Sequence, residues 1–221
     1  MVKYQIVAII FSITLSNLIF AVEAKKNCDK ADWRCHSSFY ITGGYVFTHT
    51  FFNDNQLSLS PPDQSTIHFT PRDVFPNNAS GMRWGFGAGL GDNLPFTYEL
   101  DYNQIFTHSK IKDGLKISRS SKSLVAIVGY TLNPKSRLRA SIVGGASVIS
   151  TYLTATTVAP RQFFSQNTNT VDVDPFLGGS LSYQINSKFA LRAVEFYDFA
   201  TYNRSAQGVA VTLIMLNYYP K

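Results

Sequence analysis

Apolar and polar residues alternate along most of this chain, most cleanly in "GMRWGFGAGLGD", Gly81 to Asp92. Successive side chains of an extended strand point to opposite faces. Met82, Trp84, Phe86, Ala88 and Leu90 therefore share one face, and Arg83, Gly85, Gly87, Gly89 and Gly91 the other. One face is bulky and apolar; the other is nearly bare. A soluble sandwich would instead show water a charged or Thr-rich face.

Similar segments recur, and no amphipathic helical stretch competes with them. "FYITGGYVFTHTF" puts Phe39, Ile41, Tyr45, Phe47 and Phe51 on one parity. "FTYELDYNQIFTH" sets Phe96, Tyr98, Leu100 and Tyr102 against Thr97, Glu99, Asp101 and Asn103. "SKSLVAIVGYTL" gives Leu124, Ala126, Val128, Tyr130 and Leu132. "RLRASIVGGASVI" sets Leu138, Ala140, Ile142, Ala146 and Val148 against Arg139, Ser141, Gly145 and Ser147. "VDVDPFLGGSLSYQI" sets Val173, Leu177, Leu181, Tyr183 and Ile185 against Asp172, Asp174, Ser180, Ser182 and Gln184. "FALRAVEFYDFA" and "GVAVTLIMLNYY" complete a set of eight predicted strands. In "FALRAVEFYDFA" Leu191 and Ala193 share one phase while Val194 and Phe196 share the other, which predicts a β-bulge near Arg192–Glu195.

The connections alternate in length. A polar insert from about Phe52 to Ser80, "SKIKDGLKISRS", "TYLTATTVAPRQFFSQNTN" and "TYNRSAQ" are the longer links; "GDNLP", "NPKS" and "NSK" are short. In an up-and-down antiparallel sheet alternate links emerge at opposite ends, so one end is tight and the other elaborated. That asymmetry, an even strand count and strands of about ten residues predict an all-β, eight-stranded antiparallel up-and-down transmembrane β-barrel with short periplasmic turns and long extracellular loops. Closure also removes the unpaired edges that a bilayer core penalises. Trp84, Phe86, Phe96, Tyr98 and Leu138 would then face lipid. A lipocalin-like barrel would invert the faces, and parity alone does not distinguish the two.

The N-terminus supplies the compartment. "MVKYQIVAIIFSITLSNLIFAVEAKKN" has Lys3, an apolar run to Val22, and Val22-Glu23-Ala24, the three-part build of a secretory signal peptide. Cleavage after Ala24 is expected, with an uncleaved anchor as the competing reading. Residues 25–37 would form a periplasmic segment and 38–221 the barrel domain. Cys28 and Cys35, a close pair in an oxidising compartment, are expected to form a disulfide. No later run is long and apolar enough for a transmembrane helix, and a mean hydropathy of −0.03 suits a barrel whose apolar residues are diluted by polar ones.

The chain resembles the small OmpA-type and opacity-type outer-membrane β-barrel family through "MRWGFGAGLG", "YELDYNQIF", "ALRAVEFYDF" and its final apolar strand, over about Phe39 to Tyr219. Members usually end on an aromatic residue that aids recognition by the barrel-assembly machinery; here Pro220 and Lys221 follow Tyr219. The resemblance also implies ion pairs inside the lumen, sometimes discussed as a gate.

Counting from the short turns places Glu99, Asp101, Arg139 and Arg192 at similar depth on the inner face, with space left by Gly85 and Gly87. Arg83 falls nearer the outer end. Buried charges need partners, so these four are expected to form a lumen ion-pair cluster acting as a structural plug, with a gate or acid–base chemistry as competing readings. No catalytic triad, nucleophile elbow, dinucleotide loop or metal-ligand spacing is present, so no catalytic residue, metal or cofactor is expected. His49, His68 and His108 fall in or near predicted loops. The net charge of +6 is spread through loops and turns, with "KIKDGLK" and "SRSSK" locally basic. It points to lipopolysaccharide or host polyanions as partners, and the absence of a basic aromatic platform argues against nucleic acid. The expected role is a non-enzymatic Gram-negative outer-membrane protein serving envelope integrity and surface contact, adhesin- or opacity-like. The alternative is a narrow pore or transporter of small hydrophobic molecules.

Overall fold

A computed structural model describes residues 39–54, 57–59, 66–89, 95–112, 114–157, 165–199 and 206–220. The predicted signal peptide and the Cys28–Cys35 pair lie outside these residues.

The strands are β1 (Phe39–Phe52), β2 (Leu57–Leu59), β3 (Ile67–Phe69), β4 (Asn78–Gly89), β5 (Phe96–Lys112), β6 (Leu115–Thr131), β7 (Leu138–Thr157), β8 (Ser165–Gln184), β9 (Phe189–Phe199) and β10 (Ala206–Tyr218). A short helix α1 (Pro71–Val74) precedes β4. Eight strands close in the order β1-β10-β9-β8-β7-β6-β5-β4, every ladder antiparallel, and β2 pairs with β3 in a small separate sheet. Closure comes from β1, which pairs with β4 on one side and β10 on the other. No helix among the described residues is long and apolar enough to cross a membrane.

The faces follow the alternation. Tyr45, Trp84, Leu138, Leu177, Leu181 and Ile214 are exposed on the outside although large and apolar. Among residues expected toward lipid, Trp84, Phe96 and Leu138 are exposed, while Phe86 and Tyr98 are half-buried against neighbours on that same outer face. Such a continuous apolar surface needs hydrocarbon rather than water. Aromatic pairs mark both margins: Phe96–Tyr130 and Phe189–Tyr218 near the short turns, and Phe51–Tyr197–Phe199 near the long-loop end. These are the girdles of a membrane barrel. Glu195 is a charged exception on this outer face, opposite Thr212 on β10 and Gly179 on β8.

The tight end is built by asparagines. Asn133 donates from Nδ2 to Leu138 O and accepts from Ala140 N, both at 2.7 Å. Asn186 Oδ1 accepts from Lys188 N at 2.8 Å and Phe189 N at 3.0 Å. Asx side chains substitute for backbone partners where a chain must reverse quickly.

The elaborated end departs from expectation in one respect. "SKIKDGLKISRS" is not a long loop: β5 runs to Lys112 and β6 starts at Leu115, around Gly114 at φ 76°. β7 and β8 reach 20 residues each. At about 3.3 Å per residue that is well beyond a belt about 25 Å tall, even when tilted. The overhanging strands carry Lys116 and Lys122 outward, with Ile111 exposed opposite Lys116, so the outer face of the hairpin is mixed rather than apolar. Ser, Thr and Lys here mark a wet strand, not a loop. The predicted bulge in β9 is also absent. Its register with β8 and β10 is continuous, and Arg192, Val194, Phe196 and Asp198 all point inward.

The inner face is less polar than expected. Val46, Val125, Ile127, Val143, Phe176, Val194, Phe196, Val211, Leu213 and Met215 form one buried apolar cluster inside the barrel, with the Phe176 and Phe196 rings tilted at 36° and 4.5 Å between centroids. An eight-stranded barrel is narrow enough for side chains to fill. Here its middle is filled by hydrocarbon.

Candidate functional site

On the short-turn side of this apolar layer lies a buried ionic cluster. β4 contributes Arg83, β5 Glu99 and Asp101, β9 Arg192 and β1 Tyr40, and each is at most 5% exposed. Arg83 pairs with Asp101 through Nη2, and the same nitrogen stands 3.9 Å from Glu99 Oε2. Arg192 pairs with Glu99 through Nη1. Tyr40 donates its hydroxyl to Glu99 Oε1 at 2.7 Å and rests on Tyr219, centroids 5.3 Å apart. Glu99 thus joins cations from β4 and β9, strands on different sides of the closed sheet.

The glycines of β4 make this possible. Gly85 stands opposite Asp101 in the β4–β5 ladder, and Gly87 opposite Glu99. A Cβ on Gly85 would overlap the Asp101 carboxylate and the Leu100 backbone. On Gly87 it would lie 2.6 Å from Tyr40 Oη and 2.7 Å from Glu99 Cγ. The bare face of "GMRWGFGAGLGD" is the floor on which its neighbours' charges lie.

Of the residues expected to cluster, Glu99, Asp101 and Arg192 are brought together. Arg139 lies elsewhere on the inner face, donating from Nε to Ser136 O at 3.2 Å and from Nη2 to Gln184 Oε1 at 3.5 Å. The cation beside Asp101 is Arg83, expected from the sequence nearer the outer end. The β4–β5 ladder explains it: Arg83 is opposite Asn103, one inward step from the Gly85–Asp101 pair, and a long side chain covers that step. Tyr40 was missed. Its parity, opposite that of Ile41 and Tyr45, was the available signal.

Among the described residues no group of three or more His, Cys, Asp or Glu side chains is arranged to hold a metal. Glu99 and Asp101 each pair with an arginine, which holds the charges in place.

The opposite half of the lumen is different. Phe75, just after α1, is buried against Ile117, with Phe52, Leu153 and Ala155 around it. The stretch from α1 to Phe75 therefore packs onto the barrel mouth. Pro76 and Ala79, just after it, line a cavity reached by Thr50, His108, Arg119, Ser121 and Asp198. His108, read from the sequence as a loop residue, lies on β5 and accepts from Ser80 N at Nε2, 3.0 Å away.

No family model matches the sequence, and no curated relative matches it. Solved structures do match in fold. A major outer-membrane protein from Thermus thermophilus superposes with a TM-score of 0.54 at 11% identity, over 81% of this chain and 99% of that one. Ail, the attachment invasion locus protein of Yersinia pestis, gives 0.50 at 11% identity, over 81% and 96%. At such identity the likeness is one of architecture: a small outer-membrane β-barrel.

Proposed function

We propose that this chain is a non-enzymatic outer-membrane β-barrel of a Gram-negative bacterium that acts in envelope integrity and in surface contact through its long-loop end. The observation that carries the reading is a lumen filled in two layers, ionic and apolar, beneath a basic rim. A filled lumen supports an anchor more than a conduit, and so weighs against the narrow-pore alternative. At the rim Arg72, Lys110, Lys116 and Lys122 are exposed, and Lys110 Nζ donates to Arg72 O at 3.0 Å, tying the β5–β6 hairpin to the α1 segment.

Clustered cations on a rigid scaffold favour anionic partners and speed their encounter. Lys122 marks the upper margin of the apolar belt, where a lysine can reach lipid phosphates while its stem lies along the barrel. The proposed partners are therefore outer-membrane lipid with lipopolysaccharide and, beyond it, acidic host surface molecules. The barrel-assembly machinery would act during biogenesis, on a chain whose signal peptide has been removed.

Binding of the folded protein in lipid nanodiscs to immobilised lipopolysaccharide and to heparin tests this. The triple variant K110Q/K116Q/K122Q should lose most of the affinity and its salt dependence, while its fold survives. Undiminished binding by the variant would refute the basic rim as the contact surface.

A further inference from the structure

The cavity in the long-loop half of the lumen holds a cation that the lumen cluster does not use. Arg83 and Arg192 each meet a carboxylate, but no acidic group among the described residues pairs with Arg119. Arg119 is part-buried inside the overhanging end of the barrel. Its Nη1 donates to Thr50 Oγ1 at 3.1 Å, and its guanidinium lies 5.9 Å from the centre of the Phe52 ring. Its other N–H donors have no acceptor among the described residues. An arginine drawn out of water costs free energy unless a counter-charge joins it.

The walls are mixed, with apolar Val46, Ile105, Phe196 and Val211 beside a set of hydroxyl groups near Arg119. Ser121 is buried beside Arg119 on the same inner face of β6, and Ser123 continues that row. His108 lines the same cavity, its Nε2 held 3.0 Å from Ser80 N. The acid of the cavity, Asp198, sits on β9, three strands from β6 in the barrel order, and takes hydrogen bonds from Ser147 at 3.1 and 3.3 Å. It makes no ion pair with Arg119, so an entering anion is drawn to the Arg119 wall and away from Asp198.

We propose that this cavity is a binding site for a small oxyanion, held by the free N–H donors of Arg119 with hydroxyl support from Thr50 and Ser121. Its size sets the class. The free volume is about 50 Å³, and one water needs about 10–15 Å³ on the same measure. A carboxylate or a phosphate fits. The guanidinium fork matches either oxyanion and is indifferent to neutral solutes. The site is separate from the rim lysines, and its test does not depend on surface contact.

The full chain, folded in detergent micelles, is titrated with sodium acetate and with sodium phosphate at constant ionic strength, chloride serving as the reference. The Arg119 side-chain Nε–Hε resonance, assigned by its disappearance in R119K, is followed by NMR. A saturable shift is expected at millimolar concentration with one or both oxyanions and not with chloride. R119Q retains a donor for Thr50 but no charge, and binding measured by calorimetry should weaken at least about tenfold. R119K should retain part of it. If the wild-type resonance does not shift saturably, or R119Q binds as the wild type does, the proposal is wrong. If R119Q does not fold, the wild-type resonance decides alone.

Discussion

Gly85 on β4 and Asp101 on β5 are direct cross-strand partners, and the Asp101 carboxylate occupies the space a side chain at Gly85 would need. The pairing couples a sequence pattern to a lumen. Gly89, on the same face of the same strand, has open space where its Cβ would be. G85A should cost about 1–3 kcal/mol through overpacking and displacement of the Asp101–Arg83 pair, and G89A close to nothing. Urea unfolding of the two variants in micelles, read by tryptophan fluorescence, checks the difference.

Glu99 is the joint of the ionic cluster. E99A leaves Arg192 without its carboxylate and Tyr40 without its acceptor. Breaking one side of a buried pair costs about 3–5 kcal/mol, whereas exchanging both partners for apolar groups costs far less. The double variant E99L/R192M should therefore unfold at higher urea than E99A. A double variant no more stable than the single one would mean that the pair acts through something other than charge.

Loss of the ionic layer alone should not open a pore. The layer above it, with Phe176, Phe196, Leu213 and Met215, is apolar and packed. In planar bilayers E99A should stay silent, and steps should appear only when Phe176 and Phe196 are also cut to Ala. F196A by itself should cost about 3–5 kcal/mol as a cavity in that layer.

The faces of the strands were legible in the sequence because a period of two survives any tertiary context. That Trp84 and Glu99 lie on opposite faces of the sheet follows from parity alone; the loop asymmetry and the signal-like N-terminus are what turn Trp84 outward. The depth of a charge was not legible. Arginine is long, so Arg83, two residues before Gly85, reaches Asp101, while Arg139 turns instead to Gln184 and Ser136. Strand ends were hidden for a related reason, since Lys116 and Lys122 on a wet strand look like loop residues. In β9 the run Val194 and Phe196 read as a slipped outer face. It is an inner face made apolar, because a narrow barrel fills its middle with hydrocarbon as readily as with ion pairs.

Glu195 gives a prediction of opposite sign. It projects from the apolar outer surface of β9, where the residues opposite it, Gly179 and Thr212, bring no cation. A charge on the lipid face of a barrel costs stability in a depth-dependent way, less for acids than for bases. E195L should gain about 1 kcal/mol in lipid vesicles. A loss instead would indicate a partner for this carboxylate.

The most direct test of the central claim, a closed barrel seated in the outer membrane, is membrane fractionation combined with gel mobility before and after boiling. The account predicts a band in the outer-membrane fraction that migrates fast unboiled and slows to its full apparent mass once boiled. A soluble periplasmic protein with the same mobility in both lanes would contradict it.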